Sequence, residues 1–479
     1  MTENKLFSLL KTLSGEEFHW FERYVKSSFF NKRKDLVVLV EIIKKYHPSY
    51  DSRNLIEESL FKKIYPKEKY DNKKLRYVLS DTSKLLEEFL IYTELEKEST
   101  YKTTLLLRSY NKRNLDKYFL SKQKSEEENL KTIELKDADF YFHQHLINAS
   151  IHSFNSKIKN REIDESLQMM SDNLDWYYLS TKLKYCCEIL NRQNVIAVEY
   201  DISMLNEVLL HLEKKSYEHI PAIAIYYQIL LTLTDGENEK HFFALKETLD
   251  QNHGIFTKVE LRDMYAFAQN YCIKRINLGK SIFLAELFHI YQVLLESAII
   301  LTDGALSQWD YKNIVVVGLR LDHAEWIGNF IEAYKNKLNA DERENAYLFN
   351  SAYFAFYNKH YSSVLKQLQQ VEFTDLYYQL DSKNLLVKTF YEKNDHDALF
   401  ACIASFTTFI KKNKLISEYQ RMAYLNFLKL VEEICNNDLS KKGNRNTLQN
   451  SITSTKPLAD VTWLLRKIAE RDLMPKNSI

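Results

Sequence analysis

Two windows of this chain carry the same apolar pattern. In residues 348–371, Ala352, Ala355 and Phe356 form one face, Tyr361 opens a second, and Val364, Leu365, Leu368 and Val371 continue it. In residues 386–410 the order returns as Leu386, Phe390, His396, Leu399, Ile403, Phe406 and Ile410. Tyr361 and His396 are 35 residues apart, and so are Val364 and Leu399. Spacings of three and four put each set on one side of a helix, so the unit is a helical hairpin used twice. A single hairpin cannot hide its own apolar stripe, whereas a neighbour can. A repeated hairpin therefore calls for a stack whose core runs along the array, with unlike units as caps at its ends.

Glycine and proline decide what else the chain can form. Only 8 glycines and 5 prolines occur in 479 residues, and no proline falls between Pro221 and Pro457. Average usage would be roughly 7% and 5%. A chain this poor in turn-formers is predicted to be all-α, with antiparallel helical hairpins joined by short polar turns. Asp235-Gly236 and Asp303-Gly304 are the pairs that could close β-hairpins, but each sits between helical patterns.

Read in order, residues 1–98 form an N-terminal module of short helices. Ser14-Gly15-Glu16-Glu17 is a capping box ahead of Phe18, Phe21, Tyr24 and Val25. Helices are also expected from Leu36 to His47-Pro48, over Glu57–Ile64, and from about Asp71. Residues 99–217 read as hairpins without a clear repeat. Residues 218–435 carry the repeat grammar. Pro221 opens a helix to about Thr234, Thr257 and Ser307 are N-caps, a helix covers Ser281–Leu301, and another ends at Gly318. Trp326, 35 residues before Tyr361, suggests a third copy. Residues 436–459 are polar and are expected to be a flexible linker. Residues 460–479 supply a capping helix and tail.

The hairpin resembles the tetratricopeptide repeat. Ala352 matches its small first-helix site, Tyr361 its opening aromatic, Val364 its small second-helix site and Leu368 the bulky site that follows. Val387, His396, Leu399 and Ile403 are the second set, and Lys359 stands where the repeat has glycine. The resemblance is clearest over residues 343–412 and implies an α-solenoid with a binding surface. Taken whole, the chain also resembles an uncharacterised all-helical family of bacteria, which implies no activity.

Charge and motifs narrow the function. With 66 basic and 65 acidic residues the net charge is +1, which does not indicate a membrane-surface or strongly polyanion-coating protein. The cysteines (Cys186, Cys187, Cys272, Cys402, Cys435) are odd in number and lack C-x-x-C spacing, so a reducing, cytoplasmic setting is expected. The N-terminus has no secretory pattern, and no apolar run of about 18 residues calls for a membrane. His143 and His145 are two apart and point to different sides of a helix, His145 and His152 share a face but have no carboxylate at ligand spacing, and H-E-x-x-H is absent. His396 is expected at a packing position and His323 at the surface. Asp172 with Asp175, and Glu126–Glu128, read as solvated faces. No G-x-S-x-G, Walker A or G-x-G-x-x-G occurs. No catalytic, metal or cofactor-binding residue is assigned.

Two binding surfaces remain. Lys62, Lys63, Lys67, Lys69, Lys73, Lys74 and Arg76 are interleaved with Tyr65, Tyr70 and Tyr77, and Lys32-Arg33-Lys34 precedes them. Such a mixture can hold phosphates and stack bases. Tyrosine is abundant, at 32 residues. Tyr353, Tyr357, Tyr377 and Tyr378 fall off the main apolar stripe or between helices and are the candidate partner surface. The expectation is a non-enzymatic scaffold that binds a protein or peptide along the repeats. The alternative is a regulator whose N-terminal module contacts nucleic acid while the repeats sense a partner.

Overall fold

The computed structural model describes residues 4–50, 55–158, 163–195, 199–371, 375–439 and 441–470. Among them the regular elements are helices, beside two isolated β-bridges, Thr302 with Ala305 and Leu306 with Leu338. The chain divides into two compact units, Met1–Leu230 with Gly254–Phe256, and Leu231–His253 with Thr257–Ile479.

In the first unit, α1 (Lys5–Leu10), α2 (Gly15–Lys26), α3 (Lys34–Lys44), α4 (Glu57–Ile64) and α5 (Asn72–Lys97) close around a core of their own. Phe7, Phe21, Leu39, Leu60, Val78 and Leu86 are its centre. The capping box forms as written: the Glu17 N–H donates to Ser14 Oγ at 3.1 Å, and the Ser14 N–H to Glu17 at 2.7 Å. Lys26 at 2.8 Å and Lys44 both donate to Glu22, which ties α2 to α3. Next, α6 (Ser99–Lys112), α7 (Asp116–Thr132) and α8 (Ala138–Ile158) share a smaller core where Phe119 stacks on Phe154 at 4.0 Å. The long α9 (Glu165–Val195) packs along α8, and α10 (Leu205–Lys214) and the first part of α11 (Pro221–Thr234) complete the unit.

The second unit contains α12 (Glu239–Asn252), α13 (Lys258–Asn277), α14 (Ile282–Glu296), α15 (Gln308–Arg320), α16 (Ala324–Tyr334), α17 (Arg343–Tyr357), α18 (Tyr361–Leu368), α19 (Leu376–Glu392), α20 (His396–Lys412), α21 (Glu418–Asn436), α22 (Lys442–Ser454) and α23 (Val461–Glu470). Each packs on the next without a break, and α15 also meets α17, as α17 meets α19. This is a stack of antiparallel hairpins. No comparably close approach joins α16 to α18 or α18 to α20 among the described residues. Among the described residues α15, α17 and α19 thus approach one another more closely than α16, α18 and α20 do.

One turn recurs through this unit. Gly279, Asp322, Lys359 and Asn394 have φ of 88°, 60°, 60° and 55°. After each, an N–H reaches five residues back: Lys280 to Arg275 (3.0 Å), His323 to Gly318 (3.0 Å), His360 to Ala355 (2.8 Å) and Asp395 to Phe390 (3.1 Å). These are the left-handed helix ends that glycine usually serves; here three of the four use a residue with a Cβ. The positions are 43, 37 and 35 residues apart (322 − 279, 359 − 322, 394 − 359). Counted from them, Leu284, Ile327, Val364 and Leu399 fill one buried seat, and Phe288, Ile331, Leu368 and Ile403 a second.

The structure corrects several expectations. A copy does precede Tyr361, but its period is 37, so Ala324 rather than Trp326 takes the tyrosine's seat. His396 lies at the first turn of α20 and is exposed, not packed. Gly318 does not end its helix, which runs on to Arg320; it marks a close crossing, where a Cβ would lie 2.4 Å from Ile327 Cδ1. The helix from residue 281 stops at Glu296, because Ala298 takes φ 52° and the Ile299 N–H closes on Leu294 at 3.0 Å. Asp303-Gly304 does make a two-residue reversal, closed by Thr302 and Ala305 at 2.8 and 2.9 Å, without strands to extend it. The expected linker contains α22, whose Leu448 and Ile452, one turn apart, are buried. The tail after α23 lies outside the described residues.

Candidate functional site

The first helices of the second unit bring together a group of buried and half-buried polar side chains. On α19, Tyr378, Asp381, Asn384 and Lys388 follow one another at three- and four-residue spacing and so share a stripe. Lys312 of α15 forms an ion pair with Asp381, and the Tyr424 hydroxyl of α21 donates to the same carboxylate at 3.0 Å. Lys388 donates to Asp460 at 2.8 Å and Asn384 also donates to it. The Lys312 ammonium lies 5.6 Å from the Trp309 ring centre and 5.7 Å from that of Tyr378; Lys388 lies 5.9 Å from Tyr353. Cations near ring faces gain from the aromatic quadrupole.

Burial sets the electrostatics. The Lys388 side chain is 6% exposed. Burial opposes its charge, but Asp460 more than compensates, and its pKa stands above the ordinary lysine value. Burial likewise pushes the Asp460 carboxyl up, and the Lys388 charge with bonds from Lys388 and Asn384 holds it below the usual range. The phenols of Tyr353, Tyr378 and Tyr424 are raised, chiefly by burial, and remain neutral donors. Among the described residues, Asn350 Oδ1, Ser382 Oγ and Asn384 Oδ1 are buried on α17 and α19 with no hydrogen-bond partner.

The tyrosines chosen from sequence separate. Tyr353 belongs to this group, half-buried beside Lys388. Tyr357 instead donates to Asp322 at 2.6 Å, tying one turn to the preceding one. Tyr378 is buried, with its hydroxyl on the Gln308 carbonyl at 3.0 Å; it packs between hairpins and offers no open surface. The side chain of Tyr377 lies outside the described residues. Sequence reasoning missed Lys312, Asp381, Lys388 and Asp460, since lone charges within helices look like solvated faces. The one available signal was a polar stripe on α19 where the repeat predicts apolar packing.

The basic residues of the N-terminal module are placed at the end of α4 (Lys62, Lys63), in the turn after it (Lys67, Lys69) and at the start of α5 (Lys73, Lys74, Arg76). All are exposed except Lys74, which is half-buried, bonded to Glu68 at 2.6 Å and set 3.8 Å from the centre of the Tyr65 ring. The histidines also find partners. His145 meets the Met170 carbonyl at 2.9 Å, and His152 meets Asp164 at 2.6 Å. Burial pushes the Asp164 carboxyl up, but bonds from Ser166, His152 and Asn155 hold it far below the usual range. Asp164 caps α9, accepting the Ser166 N–H, which explains its position. Among the described residues no three His, Cys, Asp or Glu side chains converge as a metal site, and no helix is long and apolar enough to cross a membrane.

No protein family, curated protein or solved structure matches the chain.

Proposed function

We propose that the chain is a non-enzymatic scaffold whose second unit is a tetratricopeptide-like array that binds a protein or peptide segment along its first helices. The row of Lys312, Asp381, Lys388 and Asp460, set among Trp309, Tyr353 and Tyr424, carries this reading. It lies where α15, α17 and α19 run side by side, which gives a partner several helices to touch at once. Paired charges flanked by aromatics give orientation and specificity more than raw affinity. Trp309, which is 37% exposed beside Lys312, is the accessible edge of the group.

A photo-crosslinking residue in place of Trp309, in the full chain within its native cell, tests the proposal. It should capture a defined protein, and Lys312→Ala with Asp381→Ala should reduce capture at least tenfold. The same probe at Lys366, on the second-helix side, should capture much less. Equal capture at both positions would refute the assignment of this face.

A further inference from the structure

The basic residues of the N-terminal module lie outside that reading, and the Arg33–Asp81 ion pair sets the run Lys32-Arg33-Lys34 beside α5, which carries Lys73 and Arg76. The loop of residues 27–33 runs beside α5. At one end Phe30 stacks on Tyr24 at 4.1 Å and touches Tyr92 at 6.0 Å; at the other, Arg33 pairs with Asp81. Tyr92 and Tyr77 are 15 residues apart on α5, so the strip is about 22 Å long between them.

The loop is held in shape. The Asn31 amide donates to the Val25 and Arg33 carbonyls, each at 2.9 Å, and its carbonyl accepts the Arg33 N–H at 2.8 Å. Held so, it leaves Phe29 86% exposed, edge-on to Phe30 at 5.0 Å. On α5 the exposed stripe reads Lys73, Arg76, Tyr77, Ser80 and Lys84, and Tyr77 is 58% exposed. Carboxylates on this side are largely consumed: Arg33 holds Asp35 and Asp81, and Lys84 also reaches Asp81 at 3.3 Å. Glu88, one turn beyond Lys84, carries no ion pair among the described residues and is the exception.

We propose that this strip binds single-stranded nucleic acid, with Phe29 and Tyr77 stacking on bases and Lys34, Lys73, Arg76 and Lys84 taking phosphates. Exposed rings on a fixed frame, separated by exposed cations, match a chain that alternates flat bases with charged links. A duplex hides its base faces and would use only the cations. An acidic peptide would have no use for the two bare rings.

The test is fluorescence anisotropy of a labelled 12-nucleotide oligothymidine with the full chain. At 50 mM KCl, binding should be micromolar to tens of micromolar, and its logarithmic salt slope about −2 to −3 for three or four phosphate contacts. Phe29→Ala and Tyr77→Ala should each weaken binding about tenfold, while Tyr77→Phe should stay within about twofold of the parent. Lys73→Glu with Lys84→Glu should abolish binding, and Glu88→Lys should tighten it severalfold. These side chains are exposed, so circular dichroism should show every variant folded. No anisotropy change at 50 mM KCl would overturn the proposal. Binding that ignores Phe29→Ala and Tyr77→Ala, or equal competition by a duplex of the same length or by heparin, would overturn it too.

Discussion

Lys359 sits at φ 60° in the turn between α17 and α18 and is exposed. A side chain in this region clashes with its own carbonyl, at a cost of about 1 kcal/mol that glycine avoids. Lys359→Gly should therefore raise stability by roughly 0.5–1 kcal/mol, read as a higher urea midpoint at unchanged slope. Asn394→Gly should gain less, because asparagine tolerates this conformation. Gly318 is the opposite case. Its absent Cβ admits Ile327, whose Cδ1 and Cγ1 would lie 2.4 and 2.7 Å away. Gly318→Ala should cost about 1–3 kcal/mol through overpacking. Ile327→Ala removes both clashing atoms, so the double variant should lose clearly less than the sum of the single losses; simple additivity would show that the crossing relaxes elsewhere.

At the scale of elements, the link between α2 and α3 and the helix α22 make separate predictions. Hydrogen bonds from Lys26 and then Lys44, opposed by burial, hold the Glu22 carboxyl at about 2, against an ordinary 4.5. A carboxyl lowered on folding stabilises above its unfolded value, and that stabilisation is lost as pH falls through the folded one. The parent should thus lose stability between about pH 4.5 and 2, and Glu22→Gln should be less stable at pH 7 with a shallower acid slope in chemical denaturation. For α22, the sequence Lys442–Ser454 has no acidic first turn and no side-chain cap. Its weak helix formers leave tertiary burial of Leu448 and Ile452 as the stabilising term. A peptide of residues 441–455 should show no helical circular dichroism at 25 °C. Ile452→Ala, at about 2–4 kcal/mol, should make the intact chain markedly more sensitive to trypsin at Arg445. A helical peptide, or unchanged cleavage, would contradict this account.

At the scale of the molecule, the two compact units each enclose apolar clusters of their own, and the division falls within α11. Chains built this way often depart from two-state unfolding. Calorimetry should show more than one component. Phe21→Ala should lower a transition that Val364→Ala leaves in place, and the reverse. A single transition shifted equally by both would mean that the units unfold together. The capture experiment on the first-helix face and the nucleic-acid experiment on the N-terminal strip address different units, so one can fail without the other.

The scarcity of glycine and proline and the period of the apolar residues were enough to determine an all-helical chain of hairpins, because both act over neighbours along the sequence. Caps at Ser14, Thr257 and Ser307 were legible for the same reason: each side chain bonds an N–H three residues on. Lys312 meeting Asp381 and Lys388 meeting Asp460 join residues 69 and 72 apart, which no local spacing announces. The turn that sets the true repeat was hidden because Asp, Lys and Asn replace its glycine. A polar stretch became α22 because two buried side chains found a neighbour. Burial and long-range pairing depend on which surfaces the stack brings together, and only the tertiary structure decides that.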